Sequence, residues 1–283
     1  MFLLRLALAG MVSLAAVPAS AQVSLVFGAY TSEQAEGLVS QLRPALDVVA
    51  RRLSDELRQP VTIRMQIASS YDEGVRLIVN RRADFMRLGA ASYIAAKEKD
   101  HGISLLVVES VGGRSTFNGV IAVHRDSDIR EMRELKGRSF AFGSAESTLG
   151  RYFAQQRLLR AGIRADDLAR FAYLEQHDKV GMAVGSGQFD AGALEETMFR
   201  KLVDGGTPLR ALTTYPNVTR PWIARSGLDP RLRETLRKTL LTFDDRAALK
   251  VMRFDGFRDG READFEPTRQ AMTESRAFDG RRR

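Results

Sequence analysis

The residues best suited to chemistry stand in segment 140–150, whose sequence is FAFGSAESTLG. The pattern predicts a strand ending at Gly143, a turn of small residues, and a helix opened by Ser147 and Thr148. The first turn of a helix carries unpaired backbone N–H groups and a partial positive charge. With two hydroxyls beside them, those amides form a pocket suited to a tetrahedral oxyanion. Ser and Thr are also the preferred helix caps, so ligand contact and capping both stay open.

Two arginines occupy positions from which they could bind an anion. Arg87 follows a short predicted strand in segment 83–93 (ADFMRLGAASY), at the same strand-to-helix position as Ser147 in the second half. Arg220 precedes Pro221 and neighbours Trp222, the only tryptophan. The alternatives are a solvated charge for Arg87 and, for Arg220, an exposed guanidinium stacked on the Trp222 ring.

Signals for catalysis are weak. The three histidines are scattered at positions 101, 124 and 177, with no H-E-x-x-H, nucleophile elbow or phosphate-binding P-loop. His177 is predicted to cap a helix, and Glu195 with Glu196 to lie in a first helical turn rather than form an acid–base pair. We therefore expect no catalytic residues, no metal site and no cofactor, and interpret the chain as a protein that is not an enzyme.

The elements that must position these residues alternate between strand and helix. Such alternation predicts an α/β fold, a mostly parallel sheet covered on both faces by helices. From Pro230 onward the chain is expected to be helical and charged, and the basic end 280–283 a solvated tail. Predicted strands are 23–27, 61–67, 84–86, 103–109, 117–124, 139–143, 168–173, 190–194 and 209–213; predicted helices are 38–57, with Pro44 near its start, 72–80, 92–99 and 147–161.

Composition and the N-terminus indicate where the protein works. Residues 1–21 combine Arg5, an apolar run over 6–17 and Ala19-Ser20-Ala21, the pattern of a secretory signal peptide. The alternative, a membrane anchor, needs a longer apolar run. We expect cleavage near Ala21 and a soluble periplasmic protein. The formal charge is +8 for the full sequence and +7 once Arg5 is removed, and in the periplasm it favours a small anion over nucleic acid. The lack of cysteine excludes disulfides, thiolate metal sites and Cys-linked lipid anchors.

The order and spacing of several motifs resemble a known family, the phosphonate-binding periplasmic solute-binding proteins of ABC transporters, whose relatives bind phosphite and similar oxyanions. The resemblance spans essentially the whole chain after residue 21. The segments that carry it are FGAY (27–30), Tyr71 at a helix start, A-D-F-x-x-x-G-A-x-S-Y (83–93), L-K-G-R-S-F-A-F-G-S-x-x-S-T-x-G (135–150), H-x-x-V-x-x-A-V-x-x-G-x-x-D-A-G-A (177–193) and Pro221.

The resemblance implies a type II periplasmic-binding-protein fold, with two α/β lobes of central mixed sheets joined by a two-strand hinge. The expected divisions are a first lobe of 22–115 plus 220–283 and a second lobe of 116–219, with crossings near 114–119 and 215–220. It also implies ligand contacts, which we assign to Tyr30, Tyr71, Arg87, Ser147, Thr148 and Arg220, with Glu146, His177 and Glu195 as further candidates.

Departures from the family pattern bear on the ligand. Relatives that bind aminophosphonates have aromatic residues where this chain has Arg87-Leu88, and an acid where it has Arg220. Exchanging an acid for an arginine removes an amine partner and adds an anion clamp, so we expect a more anionic ligand. The expected function is capture of a small oxyanion by hinge closure for an ABC transporter permease, by a monomer. The alternatives are a subunit that docks a membrane sensor kinase, or an enzyme on the same scaffold.

Overall fold

The computed structural model describes residues 22–31 and 35–280, so the predicted signal peptide lies outside the described part. The strands are β1 Val23–Tyr30, β2 Val61–Ala68, β3 Phe85–Arg87, β4 Ser104–Ser110, β5 Thr116–His124, β6 Ser139–Phe142, β7 Arg170–Tyr173, β8 Ala191–Glu195, β9 Leu209–Val218, β10 Pro221–Ala224 and β11 Gly256–Arg258. The α-helices are α1 Ala35–Leu57, α2 Tyr71–Val79, α3 Ala90–Lys99, α4 Ala154–Arg160, α5 His177–Gly185, α6 Glu196–Asp204, α7 Pro230–Leu241, α8 Arg246–Met252 and α9 Glu266–Ser275.

The first lobe is built on a six-stranded sheet in the order β11-β4-β10-β3-β1-β2. Strand β1 runs parallel to β2 and β3, whereas β10 is antiparallel to β3 and β4. Trp222 packs against Phe27, Phe85 and Phe257 in the core of this lobe. The sheet is mixed, as the resemblance implied and not mostly parallel as the alternation alone predicted. Strand β11 lies within a segment predicted to be helical.

The second lobe is built on a five-stranded sheet in the order β7-β6-β8-β5-β9. Strand β6 is parallel to β7 and β8, and β5 is antiparallel to β8 and β9. Its core includes the fully buried rings of Phe140, Phe142 and Tyr215. Two mixed sheets, each with its own hydrophobic core and helices, confirm the predicted α/β architecture of two lobes.

The chain crosses between the two sheets at 111–115 and again at 219–220, and the crossings are hydrogen-bonded to each other. The Thr219 amide donates to the Ser115 carbonyl over 2.9 Å, and the buried Thr219 hydroxyl donates to the Glu109 carbonyl over 2.5 Å. The Glu109 amide in turn donates to the Arg220 carbonyl over 3.2 Å. The two crossings therefore form one short connection, the position expected of a hinge.

Two helices differ from the pattern-based expectation. Helix α1 already begins at Ala35, which leaves Pro44 inside it rather than near its start. The predicted helix 147–161 opens as a π-helix over Thr148–Phe153 before continuing as α4, because the Tyr152 amide reaches back five residues to the Ser147 carbonyl. A π-helical turn places one extra residue in the helix, and such turns are frequent at functional sites.

The C-terminal segment does not lie wholly with the first lobe, as 220–283 was predicted to do. Helix α9 contacts α3 of the first lobe, but it also packs on the π-helix and α4 of the second. Phe278, which follows α9, lies in the second core against Phe142 and Phe171. The prediction is wrong for the residues around Phe278, because this side chain packs into the core of the second lobe. The helical periodicity of the sequence does not show which lobe a side chain packs against.

We expect Phe278→Ala to destabilise the protein by about 3–5 kcal/mol, since it removes a fully buried ring from the second core. Urea unfolding followed by circular dichroism measures this free energy. Met182→Ala is the matched control, because that side chain is 59% exposed and its truncation should change stability by less than about 0.5 kcal/mol. Equal effects of both variants would contradict the placement of Phe278.

Candidate functional site

A small cavity of about 40 Å³ lies between the two lobes, next to the crossings. Of the residues assigned to the site from the sequence, seven line it: Tyr30, Tyr71, Ser147, Thr148, His177, Glu195 and Arg220. The other lining residues are Gly89, Ala90, Phe117, Leu149, Asn217 and Val218. The cavity is small and mostly polar-lined, which suits a compact oxyanion group rather than a large apolar ligand.

Ser147 and Thr148 stand where the second lobe meets the first. The Ser147 hydroxyl accepts from the Gly150 amide over 2.9 Å, so this side chain caps the π-helix and lines the cavity at the same time. The Thr148 hydroxyl accepts from the Ala91 amide of α3 over 3.0 Å. That bond joins the lobes directly, and it brings the N-terminus of α3 to the π-helix start across the cavity.

Two stacked tyrosines form the first-lobe wall. Tyr30 ends β1 and Tyr71 is the first residue of α2, and their ring centroids are 4.2 Å apart. Both tyrosines line the cavity together with Ser147 of the second lobe. Burial raises the pKa of both phenols, so both remain neutral hydroxyls at physiological pH. Gly89 leaves room for the Tyr30 hydroxyl beside the start of α3, because a Cβ at this position would lie only 3.2 Å from that hydroxyl.

The one arginine in the cavity lining is already paired. Arg220 Nη2 donates to Glu195 Oε2 over 2.6 Å, and the guanidinium lies 5.3 Å from the centroid of the Phe117 ring. The Glu195 charge raises the pKa of Arg220. Burial acts to raise the pKa of Glu195, but the charge of Arg220 outweighs it, and that pKa lies below its ordinary value. The alternative of an exposed guanidinium stacked on the Trp222 ring is wrong, because Trp222 is fully buried in the first core and the guanidinium lies over Phe117.

Arg87 does not line the cavity, which corrects its assignment as a ligand contact. Its Nε donates to Glu109 Oε1 over 2.5 Å and its Nη2 to Glu109 Oε2 over 3.2 Å. Trp222 Nε1 also donates to Glu109 over 3.1 Å. Glu109 is 2% exposed, and a carboxylate so deeply buried needs a cationic partner. The Arg87 guanidinium therefore pairs with the buried Glu109 carboxylate, outside the cavity lining.

Glu146 and His177 also differ from expectation. Glu146 faces a neighbouring pocket beside Tyr152, where it accepts from the Ser144 hydroxyl over 2.9 Å. His177 is not a helix cap, because the N-cap of α5 is Gln176 and the imidazole lines the cavity. Burial lowers the pKa of His177 against the opposing charge of Glu195, which keeps the ring neutral. Its Nδ1 is buried and has no hydrogen-bond partner within residues 22–31 and 35–280.

These side chains can bind an oxyanion mainly through neutral donors. Hydroxyls and helix-start amides converge on the cavity, and the Arg220 charge is balanced by Glu195. Within residues 22–31 and 35–280, no cluster of three His, Asp or Glu side chains has the arrangement of a metal site. Phe117 and Asn217, which the sequence analysis did not single out, reach the cavity from β5 and β9 beside the crossings.

Similarity to known proteins defines the class. The sequence profile of the phosphonate ABC-transporter periplasmic substrate-binding proteins matches residues 27–265, and the chain belongs to this family. A curated relative, described as a probable ABC transporter phosphite-binding protein (PhnD1 of Prochlorococcus marinus), is 29% identical over 138 residues. That match covers 44% of this chain and 46% of the relative.

Solved structures share the fold. XAC2383 from Xanthomonas citri, bound to a chloride ion, superposes with a TM-score of 0.76 at 22% identity, covering 90% of this chain and 98% of that one. PhnD1 in complex with methylphosphonate superposes with a TM-score of 0.73 at 19% identity, covering 89% and 97%. These neighbours confirm the predicted periplasmic-binding-protein fold. In the part of the chain that the structure describes, no helix is long and apolar enough to traverse a bilayer.

We expect Glu195→Gln to lower the free energy of unfolding by about 1.5–3 kcal/mol at pH 7, since it removes a charge-assisted bond to Arg220. Because the pKa of Glu195 is lower in the folded protein than in the unfolded chain, the ionised carboxylate stabilises the fold above about pH 4.3. That contribution is lost as pH falls through the folded pKa. Urea unfolding at neutral and acidic pH measures both effects.

Glu196→Gln serves as the control, because Glu196 bonds Arg200 and Asn118 without lining the cavity. An exposed pair of this kind contributes about 0.3–0.5 kcal/mol. A stability difference between wild type and Glu195→Gln that stays constant down to acidic pH would show that the ionised Glu195 carboxylate does not stabilise the fold.

Proposed function

We propose that this protein is the periplasmic receptor of an ABC transporter and captures a small oxyanion, a phosphonate or phosphite, between its lobes. The proposal rests mainly on one hydrogen bond between the lobes. The Thr148 hydroxyl, at the start of the π-helix, accepts from the Ala91 amide in the first turn of α3. Two helix starts thus face each other across one small cavity. Each offers backbone N–H groups and a partial positive charge to a bound anion.

Lobe closure would complete the site. Ser147 and Thr148 come from the second lobe, and Tyr30, Tyr71 and the α3 amides from the first. Opening about the crossings at 111–115 and 219–220 would separate these groups and admit the anion. Closure then surrounds the anion with neutral donors in a site of low dielectric, where each hydrogen bond is stronger than in water.

The ligand class is supported by the relatives. One is described as phosphite-binding and was solved with methylphosphonate, and the matched family is named for phosphonate. The expectation of a more anionic ligand, held by Arg87 and Arg220 together, is not retained, because each of these arginines already has a carboxylate partner.

We further propose that the protein acts as a monomer and not as an enzyme, delivers its ligand to the membrane permease of the transporter, and does not bind nucleic acid. Periplasmic location follows the family, and we place signal-peptide cleavage near Ala21. The matched family and the curated relative are described as components of ABC transporters, and they give no support to the sensor-kinase alternative.

A thermal-shift and calorimetric screen tests this function. The mature protein is titrated with methylphosphonate, phosphite, phosphate, sulfonates and dicarboxylates. A ligand present at 100 times its Kd should add about 2.7 kcal/mol of stability. We expect a phosphonate or phosphite to give the largest shift, and the absence of any shift across the panel would refute the proposed function.

Thr148→Val should weaken binding of the best ligand from that screen by about tenfold or more, because the site loses one hydroxyl while keeping the side-chain volume. Calorimetry measures the Kd. Thr214→Val is the control, since Thr214 is exposed on β9 and should leave the Kd unchanged. Equal affinities of the Thr148→Val variant and wild type would remove Thr148 from the site.

A further inference from the structure

The charges around the cavity cancel. Arg220 and Glu195 are the charged side chains among the described residues that line it, and they pair over 2.6 Å. Behind them Arg87 and Glu109 form a second pair, with two hydrogen bonds. An entering anion therefore meets a neutral set of side chains, and it approaches the Glu195 carboxylate without a surplus cation beside it. Each additional negative charge on the ligand consequently costs more than in a site lined by free arginines.

The cavity also contains groups that can only accept hydrogen bonds. An ionised carboxylate such as Glu195 has no proton to donate. Burial keeps the His177 ring neutral, and its Nδ1 has no hydrogen-bond partner among the described residues. A neutral imidazole has one nitrogen that accepts a hydrogen bond, and an acceptor at Nδ1 would be open to a ligand proton. A fully deprotonated oxyanion also consists only of acceptors and cannot satisfy either group, whereas an oxyanion with one P–OH group can.

We propose that the cavity selects the singly charged form of its oxyanion, in which one oxygen carries a proton, and that Glu195 is the residue that rejects the doubly charged form. The inference rests on the proposed function and specifies its ligand as a hydrogen-phosphonate or hydrogen-phosphite monoanion. Sulfonates have the same charge and shape but no proton to give, so they are disfavoured with the dianions.

The protein groups that face these acceptors are Arg220 from the crossing, Arg87 from β3, and Asp178 beside His177 on α5. Arg220 stays protonated and Glu195 stays ionised at neutral pH, because each shifts the pKa of the other in that direction. Burial keeps His177 and both tyrosines neutral there. From about pH 7.5 to pH 9 the charge of these groups is therefore constant, and a change of affinity reports the protonation of the ligand.

The test compares methylphosphonate with methanesulfonate by calorimetry across this pH range. Methanesulfonate has no proton to lose there, so its Kd reports any change in the protein alone. We expect the affinity for methylphosphonate to fall tenfold per pH unit above the second pKa of the ligand, because the competent form falls by that factor. Methanesulfonate should bind about 10 to 100 times more weakly than protonated methylphosphonate, with no pH dependence.

Glu195→Gln frees Arg220 and supplies an amide donor in the same place. Its affinity for the doubly charged ligand should rise at least about tenfold, and the pH dependence should flatten. Glu196→Gln, one residue further along, should behave as wild type. If Glu195→Gln does not fold, the comparison of methylphosphonate with methanesulfonate on the wild-type protein still tests whether the cavity selects the protonated ligand.

Each outcome decides a different point. Affinity for methylphosphonate that is constant or increases as the ligand loses its proton overturns the proposal, as does methanesulfonate bound equally well. If folded Glu195→Gln still loses affinity for methylphosphonate with pH as the wild type does, only the role given to Glu195 is overturned. Failure of wild type to bind any oxyanion of the screening panel refutes the proposed function itself and this inference with it.

Discussion

The ion pair between Arg220 and Glu195 is the constraint around which the two lobes are arranged. Arg220 follows Thr219 on the second crossing, and Glu195 ends β8 of the opposite lobe. The Arg220 side chain is 34% exposed, so its guanidinium is only partly desolvated, and a carboxylate partner offsets that cost. The Glu195 side chain, only 16% exposed, supplies that partner. The position of the crossings and the charge balance of the cavity are therefore linked.

Because Glu195 balances the charge of Arg220, the proposed oxyanion site would bind its ligand mainly through hydroxyls and helix-start amides. The starts of α3 and of the π-helix face each other, and the Thr148 hydroxyl lies between them. The tyrosine pair adds neutral hydroxyls whose raised pKa keeps them protonated. A site made this way has fixed donors that need little rearrangement, and it distinguishes ligands by where their protons lie as much as by their charge.

Local sequence signals predicted the parts of the site that local structure creates. Ser147 and Thr148 could be singled out because a strand, a small-residue turn and a helix are contiguous in the chain, whereas Tyr71 was assigned through the family resemblance. Arg87 was misassigned because its partner Glu109 lies on another strand, and only the tertiary fold brings the two together. The same limit applies to Phe117, Asn217, the short strand β11 and Phe278, whose roles depend on contacts far along the chain.

A crystal structure of the protein grown with saturating methylphosphonate tests the central claim most directly, namely that an oxyanion binds between the lobes against the two helix starts. The account predicts tetrahedral density in the cavity, within hydrogen-bond distance of the Thr148 hydroxyl and the amides that begin α3. Density at another surface, or a cavity in which the Ala91 amide still donates to Thr148 and no anion is present, would contradict it.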